Sequence, residues 1–199
     1  MPATFAVKKS ELRQRYLARR KTLSETDYQE KNQSIVARLF DYYNFESYHT
    51  VHCFVPSTRQ REVDTWPIIR RLWQLPGVQV LAPRCDVDNN LTHHLLDSDT
   101  LLVNNHWGIP EPSPGSPTYP PEAIDFVLVP LLTFDQRGHR VGYGKGFYDR
   151  FLQSCRSDAL KVGLSLFPPV DRIADADAND VRLDAVVTPE RVWDWDKNQ

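Results

Sequence analysis

Short, continuous apolar runs are the feature that most constrains how this chain of 199 residues folds. The clearest read DFVLVP at residues 125–130, KVGLSL at 161–166 and DAVVTP at 184–189. A strand with one solvated face alternates apolar and polar residues, whereas a strand inside a parallel sheet is buried on both faces. The runs therefore predict strands of a mainly parallel sheet that is covered on both sides, and 184–189 is predicted to be the last strand.

Helical patterns alternate with these runs. Residues 8–23 predict a first helix, and Ser24 predicts the N-cap of a second, with Asp27 placed to favour the positive end of that helix. Asp64 or Thr65 is expected to cap a third helix. The remaining predictions are strands at 48–56, 78–84 and 91–96 and a helix that begins at about Phe147.

Helices that alternate with buried strands define the predicted fold class: α/β, an open three-layer α/β/α arrangement with a mainly parallel sheet. Residues 104–121 contain six prolines and two glycines, and we expect a long ordered loop there. The same α/β pattern continues on both sides of this loop. We therefore predict a single domain over residues 1–199.

The composition points to an ordinary globular protein. Apolar residues make up 41% and charged residues 25% of the chain, and the formal net charge is −2, so no global basic field indicates nucleic acid or a membrane. Cys53, Cys85 and Cys155 form an odd set without a CxxC pair, which argues against disulfides or a structural zinc site. No signal peptide or membrane span is recognisable. These observations predict a cytoplasmic protein.

The run HRVGYGKGFYDRFL at residues 139–152 is the first candidate site. It follows a buried strand, where open α/β sheets bind ligands, and its glycines would let backbone amides approach an anion beside Lys145 and Arg140. It matches neither the P-loop nor the dinucleotide pattern, so a tight turn that needs positive φ is the alternative. Asp149 either holds magnesium on the phosphates, or is a first-turn helix charge or a partner of Arg150.

Three further groups carry a functional and a structural interpretation each. Glu62 and Asp64 alternate in REVDT and would accept two hydrogen bonds from a ligand ring, unless Asp64 caps the third helix. Trp107 offers a stacking surface or anchors its loop. Lys9 and Arg13 lie four residues apart, so they share a helix face that would grip a polyphosphate or would simply be solvated.

Other chemistries have less support. A serine hydrolase would need a G-x-S-x-G elbow, which is absent. His52 and Cys53 fall on opposite faces of a strand, which argues against a metal site there. Four aspartates do not match calcium-loop spacing, and we interpret them as a solvated loop: Asp171, Asp175, Asp177 and Asp180.

Taken together, these segments resemble the 5-formyltetrahydrofolate cyclo-ligase family. The matching segments are KSELR, REVDT, WGIPEP, LVPLLTFDQRGHRVGYGKGFYDRFL and LDAVVTP, and they follow the family's order from Lys9 to about Pro189. The block around the three glycines is the most specific of them. Lys145 stands where many members have glycine, and Phe147 replaces a frequent tyrosine.

The resemblance implies a fold similar to the sugar-phosphate isomerase and CoA-transferase group. It also implies an enzyme that uses ATP and Mg²⁺ to convert 5-formyltetrahydrofolate to 5,10-methenyltetrahydrofolate, with release of ADP and phosphate. ATP would phosphorylate the formyl oxygen, and the neighbouring nitrogen would then close the ring, so no enzyme nucleophile is required. Positioning and charge neutralisation would supply most of the catalysis.

Roles for individual residues are implied in the same way. ATP binding is implied for Lys9, Ser10, Glu11, Leu12, Arg13, Arg140, Val141, Gly142, Tyr143, Gly144, Lys145, Gly146, Phe147 and Tyr148. Folate binding is implied for Glu62, Asp64, Trp107, Tyr143, Gly144, Lys145, Gly146 and Phe147, with the choice between Glu62 and Asp64 for the pterin left open. Catalytic roles are implied for Lys145, Arg140 and Tyr148, and magnesium binding for Asp149 and Asp184.

Two other functions compete with the enzyme. A non-catalytic folate- or nucleotide-binding relative would keep the fold without turnover, but the joint presence of Lys145, Asp149 and Arg140 favours the enzyme. A nucleic-acid-binding protein would use the basic first helix, yet aromatic residues are not interleaved with its charges. We therefore expect ATP and 5-formyltetrahydrofolate as the partners of a monomer that binds neither membranes nor nucleic acids.

Overall fold

An eight-stranded mixed sheet forms the centre of the protein, which a computed structural model describes at residues 6–86, 88 and 90–195. The helices in these ranges are α1 (Lys9–Lys21), α2 (Glu25–Tyr42), α3 (Trp66–Leu72) and α4 (Phe147–Ser154). The strands are β1 (Ala6–Val7), β2 (Thr50–His52), β3 (Gln79–Cys85), β4 (Leu91–Leu95), β5 (Leu102–Asn104), β6 (Pro110–Pro112), β7 (Thr118–Tyr119), β8 (Phe126–Pro130), β9 (Thr133–Phe134), β10 (Arg140–Val141), β11 (Leu160–Leu164), β12 (Arg172–Ile173), β13 (Ala185–Val187) and β14 (Val192–Asp194).

The sheet has the strand order β14-β13-β11-β8-β2-β3-β4-β7. The five strands from β13 to β3 are parallel, and antiparallel strands close both edges. Smaller two-stranded ladders join β1 to β12, β9 to β10 and β5 to β6. The prediction of a mainly parallel sheet is therefore confirmed.

Strand β8 explains why the apolar runs are continuous. Phe126 and Leu128 point into a core that includes Leu12 of α1 and residues of α2 and α3. Val127 and Val129 point the other way, into a second core with Phe151 of α4. Successive side chains of a strand alternate between the two faces, so a sheet with helices on both sides needs apolar residues at every position. The predicted three-layer α/β/α arrangement is confirmed.

Helix starts follow the predicted caps. The Ser24 side chain accepts a hydrogen bond from Asp27 N at 3.0 Å and begins α2. At the start of α3, Asp64 Oδ1 accepts from Trp66 N at 3.1 Å, whereas the Thr65 hydroxyl donates to Phe54 O at 2.6 Å. Of the two candidate caps, Asp64 is the one whose side chain bonds the helix backbone.

Three details differ from the sequence predictions. The strand predicted at 48–56 is only three residues long, because its pairing with β3 ends at His52 and the chain then runs toward the cavity described below. The loop predicted at 104–121 contains β6, which forms a hairpin with β5, and β7 at the sheet edge. Residues 184–189 do not form the last strand, since β14 follows and pairs antiparallel with β13.

Two further findings bear on the class of protein. Cys53, Cys85 and Cys155 are free thiols. Within the described ranges, no helix has the length and apolar character needed to cross a membrane.

Candidate active site

A cavity of about 340 Å³ opens at the carboxyl edge of the parallel strands. Its floor contains Pro130 at the end of β8, Pro83 in β3, and the segment that follows β2. Ligand cavities of open α/β sheets lie at this edge, and a volume of this size suits a small organic ligand. The cavity is lined by Lys9, Arg13, Phe54, Val55, Ser57, Arg59, Gln60, Glu62, Pro83, Cys85, Leu91, Asn105, Trp107, Ile109, Pro110, Glu111, Pro130, Arg140, Gly142, Tyr143, Gly144, Lys145, Gly146, Phe147, Tyr148, Asp149 and Asp180.

The glycine run forms a turn between β10 and α4 that borders this cavity. Gly144 and Gly146 have φ of 86° and 70°, a region that residues with a Cβ atom rarely adopt, and Gly146 is the N-cap of α4. A Cβ atom on Gly144 would lie 3.1 Å from the Arg13 guanidinium carbon. The tight-turn interpretation therefore holds for two glycines. Because Gly144 has no Cβ atom, the Arg13 side chain can also pack closely against the backbone of the turn.

Helix α1 contributes two cations to the cavity wall. Lys9 and Arg13 both line it, as their spacing of four residues predicts, and Arg13 Nε donates to Gly142 O at 3.0 Å. The other implied ATP-binding positions of α1 do not bring side chains to the cavity. Helical periodicity turns Ser10 and Glu11 to solvent, and Leu12 is fully buried in the core.

Arg140 and Asp149 form an ion pair in the wall. Arg140 is 6% exposed, and its Nη2 donates to Asp149 Oδ1 at 2.7 Å. Burial lowers the pKa of Arg140, and the charge of Asp149 opposes that shift. Val181 N also donates to Asp149 Oδ1. The ion-pair partner of Asp149 is thus Arg140, and both of these hydrogen bonds go to the same carboxylate oxygen.

The predicted solvated aspartate loop instead contributes to the site. Lys9 Nζ donates to Asp180 Oδ1 at 2.6 Å and lies 3.7 Å from Asp177 Oδ2, while Lys9 N donates to Asp175 Oδ1 at 2.7 Å. Asp180 lines the cavity, and only 15% of its side chain is exposed. The interpretation of Asp180 as a solvated residue was wrong, because a residue 171 positions away along the chain covers it.

Glu62 and Asp64 have different surroundings. The Glu62 side chain lines the cavity, and its Oε2 accepts from Ser57 N at 2.7 Å. Burial raises the pKa of Glu62, while the Ser57 amide and the Arg20 charge oppose the shift. Asp64 caps α3 and does not line the cavity. The expected alternation does not bring both carboxylates to the cavity, because the Asp64 side chain bonds the backbone at the start of α3.

Trp107 lies at the open side of the cavity with 36% of its surface exposed. Its ring meets that of Phe147 edge-on at 6.0 Å. Asn105 Oδ1 accepts from Trp107 N at 2.9 Å, and Asn105 Nδ2 donates to Glu111 Oε1 at 2.6 Å. The loop is thereby held by its own side chains. The His106 ring packs on the indole at 3.6 Å, and the part of the indole that stays exposed is available for stacking.

Asp184 is not part of this site. It precedes β13, and its Oδ2 accepts from Lys161 N at 2.8 Å. Ala185 pairs with Val162 and Val187 with Leu164, so Asp184 lies about 10 Å below the carboxyl ends of the strands at the usual rise per residue. The expectation that Asp184 joins Asp149 at a metal is therefore corrected: the strand carries it toward the opposite edge of the sheet.

Two further implied positions, Val141 and Tyr148, flank the glycine turn. Val141 is fully buried in the core, so its side chain does not reach the cavity, although it holds the neighbouring Arg140 in β10. Tyr148 lines the cavity, and its hydroxyl is buried without a hydrogen-bond partner among the described residues. Burial raises the pKa of Tyr148.

Several residues that line the cavity were not predicted from the sequence. Ser57 and Pro130 could have been predicted, because each stands at or after the end of a predicted strand and the ends of parallel strands meet at one edge of the sheet. Glu111 lies in WGIPEP and is only 7% exposed. No sequence signal distinguished it from a solvated loop charge, because its burial depends on contacts with Cys85 N and Asn105.

The arrangement is that of an α/β ligand-binding protein with two chemically different sets of groups around one cavity. One set comprises an open backbone turn, a helix N-terminus and the cations Lys9, Arg13 and Lys145, which suit a polyphosphate. The other offers the Glu62 carboxylate and the Trp107 ring, which suit a planar ligand with N–H donors. The fold and the site together define an α/β protein whose cavity offers groups suited to a phosphorylated ligand and to a ring-containing ligand.

Comparison with known proteins identifies the family. The sequence model of the 5-formyltetrahydrofolate cyclo-ligase family matches residues 6–189. The 5-formyltetrahydrofolate cyclo-ligase of Escherichia coli (strain K12) is 33% identical over 181 residues, which cover 89% of this chain and 98% of that protein. The NMR structure of Aquifex aeolicus 5,10-methenyltetrahydrofolate synthetase has a TM-score of 0.82 and 29% identity, and covers 96% of this chain and 94% of that one. A 5,10-methenyltetrahydrofolate synthetase from Mycoplasma pneumoniae shares the fold, with a TM-score of 0.71 and 22% identity. The chain belongs to the 5-formyltetrahydrofolate cyclo-ligase family.

Proposed function

We propose that this protein converts 5-formyltetrahydrofolate to 5,10-methenyltetrahydrofolate with cleavage of ATP to ADP and phosphate. The observation that carries the proposal is one cavity that joins the cationic glycine turn to Glu62 and Trp107. A reaction between a phosphate donor and a ring substrate needs both ligands in one enclosure. Membership of the cyclo-ligase family supports the same activity.

The chemistry needs activation of a poor leaving group. The formyl oxygen attacks the terminal phosphorus of ATP, and ADP leaves. The formyl oxygen then carries the phosphoryl group, and the formyl carbon has iminium character. The neighbouring folate nitrogen then bonds to that carbon, loses its proton, and phosphate departs. Each step develops or moves charge at the phosphate, so fixed cations and backbone amides accelerate it without an enzyme nucleophile.

Two sets of groups around the cavity divide this work. Lys9, Arg13 and Lys145 hold the polyphosphate against the glycine turn, and Arg140 keeps the Asp149 carboxylate in place. Lys145 is exposed at the cavity and, among the described residues, its Nζ has no hydrogen bond or ion pair, so its charge is free for a ligand. Tyr148 lines the same wall.

Glu62, Tyr143 and Trp107 line the part of the cavity that we call the folate end, and there we assign the pterin contact to Glu62. Its carboxylate lines the cavity, whereas that of Asp64 is committed to the start of α3. Trp107 and Phe147 form an aromatic edge at the open side, where the aminobenzoyl group would stack.

Mg²⁺ fits Asp149. The carboxylate lies on the cavity wall with 32% of its side chain exposed, and its hydrogen bonds from Arg140 and Val181 leave Oδ2 available. Protein magnesium sites at phosphates commonly use only one or two carboxylates. This suits the described residues, which contain no cluster of three or more His, Cys, Asp or Glu side chains placed for a metal. When bound, the ion would neutralise phosphate charge.

Ring closure is tested by the absorbance of the methenyl chromophore with protein, Mg²⁺ and 5-formyltetrahydrofolate. We expect a rise only when ATP is present. No rise, with tight folate or ATP binding by calorimetry, would indicate the non-catalytic relative, and neither turnover nor binding would remove the proposal.

Lys145 is tested in the same assay. Lys145→Ala should abolish ATP-dependent turnover without unfolding the protein, because an exposed side chain contributes little to stability. Lys21→Ala, at the exposed end of α1, is the matched control and should keep wild-type turnover. Full steady-state activity of Lys145→Ala would remove its phosphate role.

Further proposals concern the whole protein. We propose a single domain over residues 1–199, in a monomer that acts in the cytoplasm and binds neither membranes nor nucleic acids. The continuous sheet supports the single domain. The three free thiols support the cytoplasmic location.

A further inference from the structure

Arg20, near the end of α1, is a buried cation that lies behind the cavity. It is 2% exposed and does not line the cavity. Its Nη1 donates to the Tyr143 hydroxyl at 2.9 Å, and its Nη2 donates to Leu131 O just after β8. A buried guanidinium is costly unless it is paired and hydrogen-bonded, so its position calls for a specific partner.

The hydrogen bond to Tyr143 has a fixed direction. A guanidinium has five N–H donors and no acceptor, so the Tyr143 oxygen must accept from Arg20. The hydroxyl proton of Tyr143 is consequently free to point elsewhere. Tyr143 lines the cavity, and its hydroxyl faces the Glu62 carboxylate.

The hydrogen bonds of Arg20 and Tyr143 affect the surroundings of Glu62. Charged and polar groups from five parts of the fold surround it. They are Arg20 from α1, Tyr28 from α2, the Ser57 amide after β2, Tyr143 from the glycine turn and Tyr148 from α4. Burial raises the pKa of Glu62, and the Ser57 amide, the Arg20 charge and the Tyr143 hydroxyl all act to lower it. The Tyr28 hydroxyl donates to the backbone oxygen of Glu62 and fixes its main chain.

We propose that Arg20 is a positioning residue for the folate end of the cavity: by holding the Tyr143 oxygen it directs the hydroxyl proton toward Glu62, and its charge keeps Glu62 an acceptor for the N–H groups of the ring substrate. Arg20 acts through Tyr143 and Glu62 and touches neither substrate. The inference rests on the proposed function, since it names a residue that prepares the folate end of that site.

The test is a double-mutant cycle of Arg20→Gln and Tyr143→Phe, with KM for 5-formyltetrahydrofolate and for ATP measured separately. Because a hydrogen bond to a charged group is lost, each single variant should raise KM for the folate by about tenfold or more and change KM for ATP by less than about twofold. The double variant should be no worse than Arg20→Gln alone, since residues that act in one network are not additive.

A pH profile separates positioning from simple support of the fold. The pKa of Glu62 should rise when the Arg20 charge is removed. The acid limb of kcat/KM for the folate should therefore move to higher pH in Arg20→Gln, and Arg20→Lys, which restores the charge, should move it back. An unmoved acid limb, equal changes in both KM values, or additive single effects would overturn the proposal.

Two controls keep the outcomes distinct. Unfolding midpoints come first, and if neither Arg20 variant folds, Tyr143→Phe decides: an unchanged KM for the folate would overturn the proposal. If the wild-type protein makes no methenyl product, the proposed function fails, and folate binding is then compared by calorimetry. Equal folate affinity of the wild type and Arg20→Gln would overturn the role of Arg20 on its own.

Discussion

Glu62 and Asp64 stand two residues apart with the same functional group, yet their surroundings give them different tasks. The Glu62 carboxylate faces the cavity and is almost fully buried, whereas Asp64 Oδ1 bonds the first turn of α3. The pair therefore offers a matched comparison between a ligand-binding and a structural carboxylate.

Substitution should separate the two tasks. Glu62→Gln removes the charge that strengthens hydrogen bonds to the ring, so KM for 5-formyltetrahydrofolate should rise by about tenfold or more. Asp64→Ala removes a helix cap, so the free energy of unfolding should fall by about 1 kcal/mol while KM stays unchanged. Steady-state kinetics and urea unfolding measure the two effects. A raised KM in Asp64→Ala with a normal Glu62→Gln would reverse the assignment.

At the scale of single residues, several side chains that line the cavity were predicted from the sequence. Lys9, Arg13 and Trp107 reach the cavity as their spacing or loop position indicates. Asp180 was interpreted as solvated and Arg20 was not singled out, because their partners Lys9 and Tyr143 lie 171 and 123 residues away. A charged residue in a polar run gives no local sign that folding will bury it.

At the scale of elements, the turn before α4 depends on backbone conformation. Gly144 combines a φ of 86° with close contact to Arg13, whereas Gly115 has no heavy atom within 4 Å of an added Cβ and no positive φ. The two glycines therefore differ in strain and in neighbours, although both lie in loops.

Alanine at these positions should show the difference. Gly144→Ala should lower the free energy of unfolding by about 1–2 kcal/mol, the cost of left-handed backbone for a residue with Cβ, and should raise KM for ATP because Arg13 is displaced. Gly115→Ala should keep both values close to the wild type. Thermal unfolding and ATP-dependent turnover are the measurements, and equal behaviour of the two variants would contradict this account of the turn.

Elements were predictable where they are long or strongly patterned. The buried strands β8, β11 and β13 and the helices α1 to α4 correspond to sequence predictions. The ladder of β9 with β10, and strands β12 and β14, were missed. Two or three residues are too few for a periodic signal, and these strands form only because partners elsewhere in the fold pair with them.

At the scale of the whole molecule, two neutral imidazoles lie between the sheet and α4. His52 and His93 are at most 3% exposed and pack on Phe151 at ring distances of 4.7 and 4.0 Å. Burial lowers the pKa of His93 to about 4, with His94 adding to the shift. Burial also lowers the pKa of His52 well below its usual value, and His93 adds to that shift. Folding thus keeps both rings uncharged.

The pH dependence of stability follows from this shift. Above the unfolded-state pKa of about 6.5, the His93 imidazole is neutral in both the folded and the unfolded chain. Its contribution to the free energy of unfolding is then fully present. As pH falls from there toward about 4, the unfolded chain gains protons that the folded His93 does not, so stability is lost by up to about 1.4 kcal/mol per pH unit for this residue.

Urea unfolding at several pH values between about 7 and 5 measures this loss. His93→Leu should reduce the pH dependence, whereas His49→Leu, at an exposed position, should leave it unchanged. The same slope in His93→Leu as in the wild type would show that His93 does not contribute to the acid sensitivity.

The ion pair of Lys9 with Asp180 has a consequence for synthesis of the chain. Helix α1 is synthesised early, but the partner of Lys9, Asp180, lies 171 residues later in the chain. Gly142, which accepts a hydrogen bond from Arg13, lies 129 residues after Arg13. Contacts of such large sequence separation form late in folding. A nascent chain on the ribosome therefore has no complete cavity until residue 180 has emerged, and its buried strands must find their neighbours before any ligand can stabilise them.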